Sequence, residues 1–147
     1  MHFNKISDTL TFSPQIRPED MAAIKKAGFK AIICNRPDGE TEDQTPFAQI
    51  KSAATAEGLV AYHIPVIPQQ ISDGDVAEFA AALSQGPHPM LAYCRTGTRA
   101  AMLWAFQAAS TQSQSDILGA TRAAGYDLTA VAGRIADGGR SPTPTTG

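Results

Sequence analysis

The feature that most constrains this chain is an alternation of short apolar runs with segments of helical spacing. Residues 6–12 read as a strand or hairpin arm closed by Ser13-Pro14, and 29–34, 59–66 and 90–93 read as further strands. Between them, Pro18-Glu19-Asp20 opens a helix that carries Met21, Ile24 and Ala27 and stops at Gly28. Thr45-Pro46 opens a second helix ending at Gly58, and a third starts at Ser72 or Asp73 and ends before Gly86-Pro87. Helical stretches over 98–109, about 116–124 and about 128–135 follow the last strand. Such an order predicts an α/β fold: a mostly parallel central sheet with helices on both faces. Its ligand site is expected beyond the carboxyl ends of the strands.

The strand at 90–93 runs straight into Cys94-Arg95-Thr96-Gly97-Thr98-Arg99 and then into a helix. A helix N-terminus offers free backbone N–H groups and partial positive charge. Gly97 lets the loop curl so that those groups point inward. Arg99 supplies a planar fork for a tetrahedral oxyanion, and Arg95 adds a second charge. Together these features favour a thiolate and an anion beside it, which marks Cys94 as a nucleophile. A buried strand-end cysteine is the bland reading, and the glycine turn with two arginines outweighs it.

The remaining composition narrows the partners. The chain has 147 residues and a formal charge of −2, so nucleic acid and anionic membrane are not expected as partners. Residues 1–140 read as a single domain and the Pro/Thr/Gly-rich 141–147 as a disordered tail. Two cysteines make no disulfide framework, and neither an apolar leader nor a membrane span is visible, so a cytoplasmic location is expected. Three scattered histidines and two separated cysteines give no metal spacing, and no Gly-rich nucleotide loop is present. No cofactor is expected. His63, Leu103, Trp104 and Phe106 read as packing residues.

Several stretches together resemble the beta-lactamase-hydrolase-like phosphatase family, whose members are also described as sulfurtransferases. They are Ile6-Ser7-Asp8 with Ser13-Pro14-Gln15, Asn35-Arg36-Pro37-Asp38-Gly39-Glu40, Tyr62-His63-Ile64-Pro65-Val66, the loop from Leu91 to Arg99, and Ala124-Gly125-Tyr126-Asp127-Leu128. The resemblance implies a tyrosine/dual-specificity-phosphatase-like fold. It implies Cys94 as nucleophile, Arg99 as anion clamp, and Arg95, Thr96, Gly97 and Thr98 around the anion. It also brings the strand at 29–34 beside the cysteine loop, so Cys34 is expected near Cys94, and Arg36 is expected either to reach the anion or to be a surface loop arginine. The family pattern has Asn where Cys34 stands. Cys34 is therefore a candidate redox partner that resolves an oxidised Cys94, set against a plain buried cysteine.

Three departures from the phosphatase pattern point toward sulfur. Four residues separate Cys94 from Arg99, where tyrosine-phosphatase-like enzymes have five and rhodanese-type sulfurtransferases have the shorter loop. The hydroxyl residue that commonly follows the phosphatase arginine is Ala100 here. The loop that carries the phosphatase acid is Ile67-Pro68-Gln69-Gln70-Ile71, with no carboxylate before Asp73 and Asp75. Asp38 is a candidate substitute acid, or simply a turn residue before Gly39. The first expectation is therefore transfer of sulfane sulfur from a small sulfur-containing anion, through a Cys94 persulfide, to a thiol acceptor. A metallo-β-lactamase-like sulfur dioxygenase is its implied functional partner. The alternative is a phosphatase that acts on a phosphoester through a phosphocysteine. A non-catalytic anion-binding module, revealed by an unreactive thiol, is the third.

Overall fold

Strand side chains alternate between two cores, as a period of two requires. The computed structural model describes residues 2–141. Its strands are β1 (Asn4–Lys5), β2 (Leu10–Ser13), β3 (Ala31–Cys34), β4 (Val60–His63) and β5 (Met90–Tyr93). They form one sheet in the order β1-β2-β5-β3-β4, parallel except for the β1–β2 hairpin. The expected α/β sheet is thus present, but the run read at 6–12 is not one strand: residues 6–9 form the hairpin turn, 10–12 belong to its second arm β2, and its first arm β1 precedes the run.

Among the described residues the helices are α1 (Met21–Lys26), α2 (Phe47–Ala56), α3 (Asp73–Gln85), α4 (Thr98–Ala108), α5 (Gln114–Ala123) and α6 (Ala132–Ala136). Pro18–Asp20 forms a 3-10 turn ahead of α1 rather than its first α turn. Ser72 caps α3 by accepting from the Asp75 amide while Asp75 returns the bond, a reciprocal capping box. One core joins Phe12, Ile33, Met90 and Ala92 to α3, α4, α5 and α6. The other joins Ile32, Cys34, Leu91 and Tyr93 to α1 and α2. Helix α4 is buried almost all round, as a helix between a sheet and other helices must be. That packing fixes its N-terminus, which carries the end of the cysteine loop.

Register decides where the site falls. Ser13, Tyr93, Cys34 and His63 stand side by side in one row, and each is the last residue of its strand. The four following loops therefore leave the sheet from one flush edge. Asn35, fully buried, laces that edge: its amide donates to the Tyr93 carbonyl and its side chain to the Ile64 carbonyl. None of the helices among the described residues is long and apolar enough to cross a membrane. Ser141, placed by composition in the tail, is tied to the Asp73 carboxylate through its amide (2.7 Å) and hydroxyl (3.2 Å). The rest of that stretch, 142–147, lies outside the described residues.

Candidate active site

Cys94 follows β5 directly and is 1% exposed. The Gly97 amide donates to its sulfur at 3.1 Å. Gly97 reaches that position with φ +98°, a backbone conformation that disfavours other residues. A side chain there is excluded twice over, because a Cβ would stand 2.3 Å from the Tyr126 hydroxyl. Tyr126 is held in turn by Asn4, whose side-chain amide donates to the phenolic oxygen at 2.8 Å, and by edge-to-face contact with Phe12. The loop is thus braced from β1 and from the segment after α5. The Gln15 amide adds a third tie by donating to the Arg95 carbonyl.

Arg99, in the first turn of α4, is buried. Its Nη1 donates to Glu40 Oε2 at 2.7 Å and to the Val66 carbonyl at 3.1 Å, and its Nη2 donates to Glu40 Oε1 at 2.9 Å. A guanidinium has five N–H donors in a rigid plane. Glu40 and Val66 use the end carrying both Nη atoms, so the edge formed by Nε–H and the second Nη2–H meets neither of them, and the Cys94 sulfur lies beside the guanidinium. Glu40, with the Cys94 sulfur nearby, holds Arg99 more firmly protonated than usual despite its burial.

Glu40 also accepts from Arg36 Nε at 2.8 Å. Arg36 is itself buried and extends to Gln15 and Thr41. The hydrogen bond from Arg99 and then that from Arg36 push the Glu40 carboxyl down to about 2, against a smaller opposing effect of burial. The result is a fixed Arg36–Glu40–Arg99 network at the floor of a cleft of about 350 Å³, lined also by Thr41, Pro68 and Arg95. Larger cavities exist, but the apolar one of about 400 Å³ between α3 and α4 holds none of these groups.

The structure brings Cys94, Arg99, Arg36 and Arg95 to one edge. Thr96 and Thr98 are exposed on the loop and face each other at 3.1 Å. Asp38 uses a carboxylate oxygen to accept from the Phe47 amide at the start of α2, an N-terminal anchor for that helix. Cys34 sits at the neighbouring strand end and its thiol donates to the Arg36 carbonyl at 3.4 Å. Burial pushes that thiol up. His63 ends β4, stacks on Phe47 at 4.4 Å and bonds the Arg36 carbonyl through Nε2. Sequence reasoning missed Glu40, Gln15 and Tyr126 as site residues. Each lies in a stretch that carries the family resemblance, and an acid one turn beyond Arg36 was the readable signal for the first.

The chain is similar to known proteins in sequence and in fold. The family described as "Beta-lactamase hydrolase-like protein, phosphatase-like domain" matches residues 2–111. The Beta-lactamase hydrolase-like protein of Agrobacterium fabrum is 35% identical over 128 residues, which is 86% of this chain. This chain spans about 30% of that relative's length. A crystal structure of a Neisseria meningitidis protein, whose phosphatase assignment is itself provisional, is 40% identical. It superposes with a TM-score of 0.83 over 91% of this chain and 96% of its own. A second such protein, from Shewanella putrefaciens, shares the fold at 20% identity and a TM-score of 0.70, covering 93% and 85% of the two chains. The fold is that of tyrosine- and dual-specificity-phosphatase-like enzymes. These relatives support a cysteine-based, phosphatase-like function, the alternative to the sulfur transfer that loop spacing favours; sulfur transfer is not shown.

Proposed function

This chain belongs to the beta-lactamase hydrolase-like, phosphatase-like domain family, and on that premise we propose that it is a cysteine-dependent phosphatase. The observation that carries the reading is the pose of Arg99: Glu40 and Val66 lock one end of the guanidinium, which lies beside the Cys94 sulfur with its other edge free of carboxylate and carbonyl partners. Cys94 attacks phosphorus, a sulfur–phosphorus bond forms, and the bond to the leaving oxygen breaks with its electron pair. Arg99 and the loop amides hold the phosphoryl oxygens, and Arg95, Thr96 and Thr98 flank them. Water then attacks the phosphocysteine and releases phosphate. The departing thiolate is received by the Gly97 amide and the α4 N-terminus.

A second reading rests on one observation, the four-residue spacing between Cys94 and Arg99. In it Cys94 takes a sulfane sulfur as a persulfide and passes it to a thiol, with a metallo-β-lactamase-like sulfur dioxygenase downstream. For either chemistry we place the single domain of residues 1–140 in a reducing, cytoplasmic setting, which suits two buried free thiols. Paired assays on the protein and its Cys94→Ser variant separate the readings. Hydrolysis of p-nitrophenyl phosphate, lost in the variant, is expected. Thiocyanate formed from thiosulfate and cyanide without phosphatase turnover would replace the phosphatase reading with sulfur transfer.

A further inference from the structure

A phosphatase that leaves from an alkyl oxygen needs a proton donor, and this site offers no ready one. Among the described residues lining the cleft at Arg99, the carboxylate is Glu40, which two arginines keep ionised. Asp38 is spent on the α2 N-terminus, and Asp75 on the cap of α3. Asp73 serves Ser141 and Arg134 beside the other large cavity. The loop following Val66 brings Pro68, not an acid, to the cleft. Protonation of a leaving alkoxide is worth about 10²–10⁴ in rate. A site without it favours leaving groups that are stable as anions.

The surface beside the loop shows where such an anion would go. A second cleft of about 400 Å³ adjoins the first and shares Arg36, Thr41 and Arg95 with it. Its far wall carries Gln15, Arg17 and Asp43. Gln15 is structural, since it accepts from Arg36 and its amide holds the Arg95 carbonyl. Asp43 is the acid opposing these cations, and it supplies no proton either: it accepts from the Thr41 hydroxyl at 2.8 Å, a bond that holds its carboxyl below the usual carboxylate range and so ionised. Arg95 has no ion-pair partner among the described residues. Arg17 has only a 4.0 Å approach to Glu19 across open solvent. Glu40 being shared by Arg36 and Arg99, the two clefts hold four arginines against two carboxylates, within a chain whose formal charge is −2.

Resting on the phosphatase reading, we propose that the substrate is a phosphoanhydride, whose transferred phosphoryl sits on the Cys94–Arg99 loop and whose leaving phosphate sits between Arg95 and Arg17. In the first step the Cys94 sulfur–phosphorus bond forms and the bridging P–O bond breaks. The leaving phosphate keeps the electron pair as an anion. A phosphate monoester has a second pKa of roughly 6, so it departs at neutral pH without a protein acid. In the second step water cleaves the phosphocysteine, giving inorganic phosphate and the thiolate, with the water proton carried off on the product or to solvent.

The test compares kcat/KM of the full chain on inorganic pyrophosphate, p-nitrophenyl phosphate and glycerol phosphate, with Arg17→Gln alongside. Pyrophosphate and the aryl ester are expected to exceed glycerol phosphate by about 10²-fold or more. Arg17→Gln is expected to lower the pyrophosphate value by about tenfold, one charge-assisted contact, and to leave the aryl ester unchanged. Glycerol phosphate turned over as fast as the aryl ester would reveal a proton donor and overturn the inference alone. Pyrophosphate turnover that is absent, or indifferent to Arg17, would do the same while the phosphatase reading stands. Loss of turnover on all three compounds removes the phosphatase reading and this inference together.

Discussion

Replacing Glu40 by Gln tests the network that aims Arg99. In the folded chain the Glu40 carboxyl falls from its ordinary 4.5 to about 2. That drop corresponds to ~3 kcal/mol of preference for the ionised form. The side chain is 28% exposed, so solvent screening trims the figure to about 2 kcal/mol. The folded-state value lies below the unfolded one, so this stabilisation is complete above pH 4.5 and is lost as pH falls toward 2. Glu40→Gln lacks it at every pH. Urea unfolding at pH 6.5 should therefore show the variant about 2 kcal/mol less stable, roughly 4–8 °C in Tm for a chain of this size. At pH 2.5 most of that gap should have closed. The variant also frees the Nη end of Arg99, and a loosened clamp should cost about 10²-fold in kcat/KM on p-nitrophenyl phosphate. A stability gap that is the same at both pH values would refute the assignment of the carboxylate as ionised and shared. Unchanged turnover would refute its role in positioning Arg99.

Two further outcomes follow from the loop and its neighbour. Gly97→Ala forces a side chain into a positive-φ position and against the Tyr126 hydroxyl, so it should cost about 2 kcal/mol or more and most of the turnover; a variant as stable and active as the parent would show that the loop closes another way. Cys34 serves as redox partner only as a thiolate, and burial pushes its thiol up. Peroxide treatment should then give a Cys34–Cys94 link whose rate rises with pH, by about tenfold per unit while the thiol remains mostly protonated. Peptide mass spectrometry showing Cys94 passing directly to sulfinic acid would end the resolving role.

Much of this architecture was legible because period and punctuation agreed. The run at 90–93 and the helix from Thr98 stand where apolar pattern and the glycine loop placed them, and Ser72 caps α3 as its sequence suggests. The leading 6–12 run merged a hairpin turn with its second strand, since the two-residue edge strand ahead of it, Asn4–Lys5, has no apolar signature of its own. Cys94 and Arg99 stand out as candidates for a local reason: both belong to one continuous loop. Glu40 and Tyr126 were not, because their roles come from contacts 59 residues away in the first case and from crowding against Gly97 in the second. Asp38 shows the limit of a local reading from the other side. An acid near a glycine turn fits either a proton donor or a turn, and neither option foresees a carboxylate that anchors a helix beginning nine residues later.

The rigidity of that long-range network bears on the choice between phosphorus and sulfur. Thiosulfate and a phosphate ester both offer a tetrahedral oxyanion to the free edge of Arg99, so initial binding does not distinguish them. The bond that breaks does. In attack on phosphorus the clamped oxygens stay with the group bound to Cys94, and a fixed guanidinium serves the transition state and the intermediate alike. In attack on a sulfane sulfur the clamped oxygens belong to the departing sulfite, and the same fixed clamp holds back the product. Glu40 and the Val66 carbonyl lock Arg99 from one end, and Arg36 locks Glu40 in turn. A clamp braced through Glu40 and the buried Arg36 is suited to keeping its anion through a covalent intermediate, and we weigh this above the shortness of the loop in favour of the proposed phosphoryl transfer.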